Sequence, residues 1–167
     1  MGLSGAFSLK IAPDGKHLYV ISLNDDEVAV FSRNATTGQL TFVQVVVNGE
    51  NGVTGLDGSI DLTVSPDGKQ VYVVSQTDFA LTVFSRDETS GSLTFVEAFF
   101  DADEGIVGLE SARSVAVSPD GKHVYAVGTN ENVPAVFSRD PTTGALTFIE
   151  AAFIDESMNT FINFPQG

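Results

Sequence analysis

Apolar and polar positions alternate with a period of two along most of the chain. Leu18, Val20 and Ser22 alternate with Tyr19 and Ile21, and Val28, Val30 and Ser32 alternate with Ala29 and Phe31. A pleated strand points successive side chains to opposite faces, so this period reads as β-structure and not as helix. Runs rich in Val, Phe and Tyr, bounded by Gly, Asp and Pro, predict strands over about 6–12, 17–23, 27–33 and 40–47. Several of these runs are apolar at nearly every position, which predicts a sheet buried on both faces. No segment supports a helix of useful length.

The same pattern returns twice. Pro13, Pro66 and Pro119 are spaced by 53 residues, as are Phe31, Phe84 and Phe137, and Gly38, Gly91 and Gly144. The chain divides into units 2–54, 55–107 and 108–160 with a tail at 161–167, so one structural unit is used three times. In VSPDGKQVYVVS (64–75) and its relatives IAPDGKHLYVIS and VSPDGKHVYAVG, Pro presets φ, Asp bonds back to the backbone, and Gly takes the positive φ that follows. That is a hairpin between the first and second strands. In SRDETSGSLTF (85–95), Gly91 marks the return into the fourth strand.

Four antiparallel strands per unit at this period is the pattern of a β-propeller blade. A β-sandwich of short strands is the alternative, but it requires no strict repeat. The fold expected is an all-β propeller with three four-stranded blades per chain. Known propellers close with about four to eight blades. The first and third units keep the Val and Phe positions of the second, which leaves two apolar faces open, and such patches mark interfaces. A whole number of repeats suits head-to-tail contact. The favoured expectation is a homodimer closing a six-bladed ring, with a trimer behind it. The other reading is a piece of a longer propeller that supplies the remaining blades.

The repeat S-P-D-G-K-x-V-Y-V, followed by V-x-V-F-S-R-D-x-T-T-G-x-L-T-F-V, resembles that of the lactonase-like seven-bladed propellers and is similar to the YVTN-type repeats. The resemblance covers nearly the whole chain. It implies hydrolysis of a lactone, such as that of a sugar acid, in the central channel. It implies no catalytic residue, because the matched motif is the blade repeat itself.

Charge redirects attention to one side of the expected blade. The chain carries 22 acidic against 8 basic residues, a formal net charge of −14. Phosphate-backbone binding needs Lys and Arg, so nucleic acid is excluded as a partner, and an anionic membrane with it. Thirteen acids fall in or beside the second-to-third and blade-to-blade connections, from Asp25 and Asp26 to Asp155 and Glu156, where no Lys or Arg lies. Ring closure would focus this charge around one mouth. The main functional reading is therefore a binding or scaffold module whose acidic loop face is the recognition surface, with a cationic or small-molecule ligand. The lactonase-like hydrolase is the alternative. Ca²⁺ is the cofactor to consider, with Asp101, Asp103 and Glu104 of DADEG as oxygen ligands. The loop lacks EF-hand spacing, and a solvated, repulsive face explains the acids equally. The absence of Cys removes disulfides and thiolate metal sites. No apolar run approaches a membrane span, and the first residues lack the pattern of a signal peptide.

His17 and His123 share a repeat position, which predicts a strand-edge surface role. Ser65 and Ser118 predict turn caps, since no nucleophile elbow accompanies them. Arg33, Arg86 and Arg139 predict a repeated structural pairing with Asp or a carbonyl. Catalytic residues of a propeller break the repeat, and three charges do so in or beside the innermost strands. Lys10, Asp61 and Arg113 are thus the candidate channel residues, with blade-to-blade ion pairing as their other reading.

Overall fold

The computed structural model describes residues 3–131 and 133–152. Asp155, Glu156, the end of the third unit and the 161–167 tail lie outside the described residues. Among the described residues there are twelve strands: β1 (Ala6–Ile11), β2 (His17–Ser22), β3 (Glu27–Arg33) and β4 (Leu40–Val47); β5 (Ser59–Val64), β6 (Gln70–Ser75), β7 (Ala80–Arg86) and β8 (Leu93–Phe100); β9 (Ala112–Val117), β10 (His123–Gly128), β11 (Pro134–Arg139) and β12 (Leu146–Ala151). They form three four-stranded antiparallel sheets, each a simple meander in chain order. The expected strands are all present.

The hairpins close as their residues dictate. Asp14 Oδ1 accepts the Lys16 N–H at 3.0 Å, and Gly15 takes φ +71°. In the second and third units a serine joins the turn. Ser65 Oγ donates to Asp67 Oδ1 at 2.6 Å and accepts the Gln70 N–H at 3.0 Å, and Ser118 does the same with Asp120 and His123. These hydroxyls are consumed by the turn, which leaves no free nucleophile there.

Each sheet carries bulges at the same two places. One lies between Val30 and Phe31, Val83 and Phe84, and Val136 and Phe137. The other lies in the first strand, where residue 7, 60 or 113 has no partner across the ladder. A bulge adds one unpaired residue and turns the side chains beyond it. Its recurrence shows that the repeat extends to irregularities as well as strands.

The sheets stack face to face. One core, containing Tyr19, Ile21, Val28, Leu62, Val71 and Phe84, fills the space between the first and second sheets. The other, containing Tyr72, Val74, Leu81, Leu109, Val124 and Phe137, lies between the second and third. Every residue of β6 is buried, as the near-continuous apolar runs predicted for a two-faced sheet. A fully buried side chain of this size contributes about 1.5–3 kcal/mol, so the middle sheet is stabilised from both sides. The outer faces of the first and third sheets have no such neighbour among the described residues.

Candidate functional site

The innermost strands β1, β5 and β9 lie side by side, and the residue just after each first-strand bulge occupies one row: Ser8, Asp61 and Ser114. The Asp61 carboxylate ties the row together. Its Oδ2 accepts the Ser114 hydroxyl at 2.9 Å and the Val115 N–H at 3.1 Å, while its Oδ1 accepts the Ser8 hydroxyl at 3.4 Å. Lys10 Nζ stands 3.8 Å from the same Oδ1. The structure therefore brings together two of the three charges expected in the channel. The Lys10 side chain is 45% exposed, so the pair adds at most about 1 kcal/mol and can open readily. Arg113 is the bulged residue of β9 and forms no ion pair among the described residues. It is exposed and stands outside the cluster.

A second polar assembly binds each sheet to the next. Arg86 Nε donates to the Tyr19 hydroxyl at 2.6 Å, Nη1 to the Gly68 carbonyl at 2.8 Å, and Nη2 to Asp14 Oδ2 at 2.7 Å. His17 Nδ1 lies 2.8 Å from Nη2 and, facing a guanidinium, must accept. Tyr19 then donates to the Gly91 carbonyl at 2.9 Å. Arg139 repeats the set one sheet on, with Tyr72 at 2.9 Å, Gly121 at 2.8 Å, Asp67 at 2.7 Å and Gln70 in place of the histidine. Each clamp thus spans two sheets. The expected pairing of the arginines is present, but across 72 residues of chain, a distance that no local spacing reveals.

The clamp corrects the reading of His17 as a surface residue: it is only 3% exposed. The reason is Gly91, which packs so closely on the imidazole that a Cβ there would stand 2.3 Å from the ring. Burial first, and the Arg86 charge next, hold its pKa below the usual 6.5. Asp14 moves down in spite of burial, because Arg86 and the Lys16 N–H favour its charged form. Burial pushes the Tyr72 hydroxyl up to about 12, against the pull of Arg139.

The acidic connections are more internally occupied than their charge suggested. Asp25 accepts the Ser4 N–H, Asp26 the Gly58 N–H, Asp78 the Asp57 N–H and Glu131 the Gly108 N–H. These carboxylates pin the loops on this side to one another. Burial, and then the neighbouring carboxylates, raise the pKa of Glu27 and Asp57. Asp101, Asp103 and Glu104 are not gathered on one point. Asp101 Oδ1 takes the Leu109 N–H at 2.9 Å, and Asp103 and Glu104 lie in a short 3₁₀ turn. Among the described residues, no three His, Cys, Asp or Glu side chains converge to hold a metal ion. No helix among those residues is long and apolar enough to cross a membrane.

Known proteins share this fold. A family model described as lactonase, seven-bladed β-propeller, matches residues 4–163. The 6-phosphogluconolactonase of Klebsiella pneumoniae is 26% identical over 139 residues, covering 82% of this chain and 40% of its own. The structure of the Pseudomonas aeruginosa periplasmic gluconolactonase superimposes with a TM-score of 0.75 at 28% identity, over 89% of this chain and 40% of that one. A Bacteroides fragilis crystal structure gives a TM-score of 0.73 at 32% identity, over 88% and 38%. The chain therefore spans about two fifths of the length of these relatives. The two named relatives carry the names of lactone hydrolases. That overturns the expectation of a binding scaffold with an acidic recognition face and favours its alternative, the hydrolase. The physical reason agrees: many of the loop carboxylates are engaged with backbone donors and are not free to meet a ligand.

Proposed function

The chain belongs to the lactonase family of seven-bladed β-propellers, and from that membership we propose that the closed propeller hydrolyses a sugar-acid lactone at the wall of its central channel. The observation that carries the reading is the Asp61 row. Two donors, Ser114 and the Val115 N–H, hold Oδ2, while Oδ1 faces Lys10 and carries only a long bond from Ser8. One oxygen is anchored and the other is disposed to accept a proton.

In lactone hydrolysis, Asp61 Oδ1 takes a proton from water as the water oxygen bonds to the lactone carbonyl carbon. The Lys10 ammonium, released from its weak pair, stabilises the carbonyl oxygen as it becomes negative. Collapse of the tetrahedral centre breaks the bond to the ring oxygen, which receives the proton from Asp61 and leaves as an alcohol. Arg113, exposed in β9 one residue before Ser114, supplies a cation for a substrate phosphate or carboxylate. The similarity to the Klebsiella 6-phosphogluconolactonase and the Pseudomonas gluconolactonase supports gluconolactone and its 6-phosphate as substrates.

Proton release with gluconolactone and with its 6-phosphate tests this directly, each rate compared with spontaneous hydrolysis. Asp61→Asn is expected to lower kcat by about 100-fold or more, the usual contribution of a general base. Arg113→Ala is expected to raise KM for the phosphorylated lactone alone. A wild-type rate no greater than the spontaneous one, or full activity in Asp61→Asn, would discard the reading.

A further inference from the structure

Two Asn-Gly pairs, Asn48–Gly49 and Asn51–Gly52, stand in the connection from the first sheet to the second. An asparagine before glycine can lose its side-chain amide, because no Cβ hinders the next backbone nitrogen from attacking the side-chain carbonyl carbon. The reaction needs that carbonyl and that N–H free together, and the fold treats the two pairs oppositely. At the first pair both are engaged: Asn48 Oδ1 accepts the Leu56 N–H at 3.2 Å, and the Gly49 N–H donates to the Val53 carbonyl at 2.9 Å. At the second pair Asn51 and Gly52 are both exposed. Among the described residues, neither the Asn51 side chain nor the Gly52 N–H makes a hydrogen bond. A Cβ at Gly52 would meet nothing within 4 Å, and a cavity of about 230 Å³ bordered by Glu50 and Asn51 leaves room for water beside them.

The turn that carries the second pair also seats a core residue. The Glu50 carbonyl accepts the Val53 N–H at 2.9 Å, and Asn51 and Gly52 take φ of +51° and +81°. Positive φ at both central residues defines a type I′ turn, which Asn-Gly and Asp-Gly favour alike. Val53 follows directly and is buried in the core between the first and second sheets. Asn48 has a counterpart in the next connection, where Asp101 accepts the Leu109 N–H with its own Oδ1. A carboxylate can therefore do the work of the Asn48 amide, and that amide is nevertheless the guarded one.

We propose that Asn51 is a site of spontaneous deamidation, that the fold shields Asn48 from the same reaction, and that the isoaspartate formed loosens the first junction between sheets. The Gly52 nitrogen bonds to Asn51 Cγ and passes its proton to Nδ2, which leaves as ammonia as the Cγ–Nδ2 bond breaks. Water then opens the cyclic imide, its hydroxyl going to one carbonyl carbon and its remaining proton to the nitrogen. Cleavage at Cγ leaves aspartate, which the turn accommodates. Cleavage at the main-chain carbonyl leaves isoaspartate, which routes the backbone through Cγ and lengthens it by a carbon. The longer turn cannot keep both the Glu50 bond and the seat of Val53. The reaction draws on solvent alone and does not depend on the lactonase reading.

Incubation of the full chain in mildly alkaline buffer, folded and in urea, tests the site by peptide mass. Cleavage after Glu50 puts the two asparagines on separate peptides, and isoaspartyl methyltransferase labels the isoaspartate. In the folded chain Asn51 is expected to convert at least about tenfold faster than Asn48, since an ordinary hydrogen bond must open at each reacting group of Asn48. In urea those bonds are gone, and the two rates should come together.

Urea unfolding then separates the two products. Aged wild type carrying isoaspartate should unfold at a lower midpoint than fresh protein. Asn51→Asp, which adds the charge without the extra carbon, should stay near the fresh value. Folded-state conversion of Asn48 as fast as that of Asn51, or a difference that persists in urea, would overturn the proposal. An unchanged midpoint in the aged protein, or an equal fall in Asn51→Asp, would overturn the role given to the lengthened turn.

Discussion

Burial and the adjacent Arg86 guanidinium both disfavour a proton on His17, whereas Gln70 fills the same place in the next clamp and does not titrate. An unfolded histidine protonates near pH 6.5, and the folded one only at a lower pH. Its contribution to stability is therefore complete above about pH 6.5 and is lost as pH falls through that value towards the lowered one. Urea unfolding of the wild type and of His17→Gln, followed from pH 7.5 to 5, should show a smaller loss of stability in the variant. Equal slopes for the two proteins would remove His17 from the pH response. The serine turns and the repeated arginines are legible in the sequence at this scale because their bonding is local or recurs in phase. The burial of His17 is not, because the group that covers it lies in the next repeat.

Between elements, glycine is required in the connections for two separable reasons. Gly91, in the return from β7 to β8, and Gly105, in the loop from β8 to β9, have φ of +80° and +82°, so a side chain at either is strained by about 1–2 kcal/mol. Only Gly91 also faces a ring, with a Cβ 2.3 Å from His17. Gly105→Ala is therefore expected to lose about 1–2 kcal/mol on chemical denaturation. Gly91→Ala should lose about 1–3 kcal/mol more through overpacking. Equal losses would mean that the hairpin yields and the glycine matters only for its conformation. The strands themselves were readable to within a residue or so, since their period and their turn residues agree. The first-strand bulge that separates Arg113 from the Asp61 row was hidden, because an extra residue in a ladder leaves no mark on composition.

At the scale of the whole molecule, the chain carries a formal net charge of −14, while the clamps Arg86–Asp14 and Arg139–Asp67 are anchored by guanidinium groups that are buried. Screening acts on exposed charge and hardly on buried pairs, with a Debye length of about 30 Å at 0.01 M salt and about 8 Å at 0.15 M. Raising NaCl across that interval should therefore raise the Tm, because repulsion between the loops is relieved and the clamps are kept. A falling Tm would show that exposed attractions dominate instead. The acids first suggest a ligand surface, yet the structure gives several of them a role in pinning one loop to the next.

The sequence by itself determined the strands, the turns, the threefold repeat and the kinship with the lactonase propellers. Each of these rests on residues close together in the chain or separated by one fixed period. Only the tertiary structure decided which charges meet: Lys10 with Asp61, Arg86 with His17, and loop carboxylates with backbone donors. Those contacts join residues far apart in the chain, most of them in different blades, and their geometry depends on bulges and on the stacking of one sheet against the next. No period along the chain encodes it.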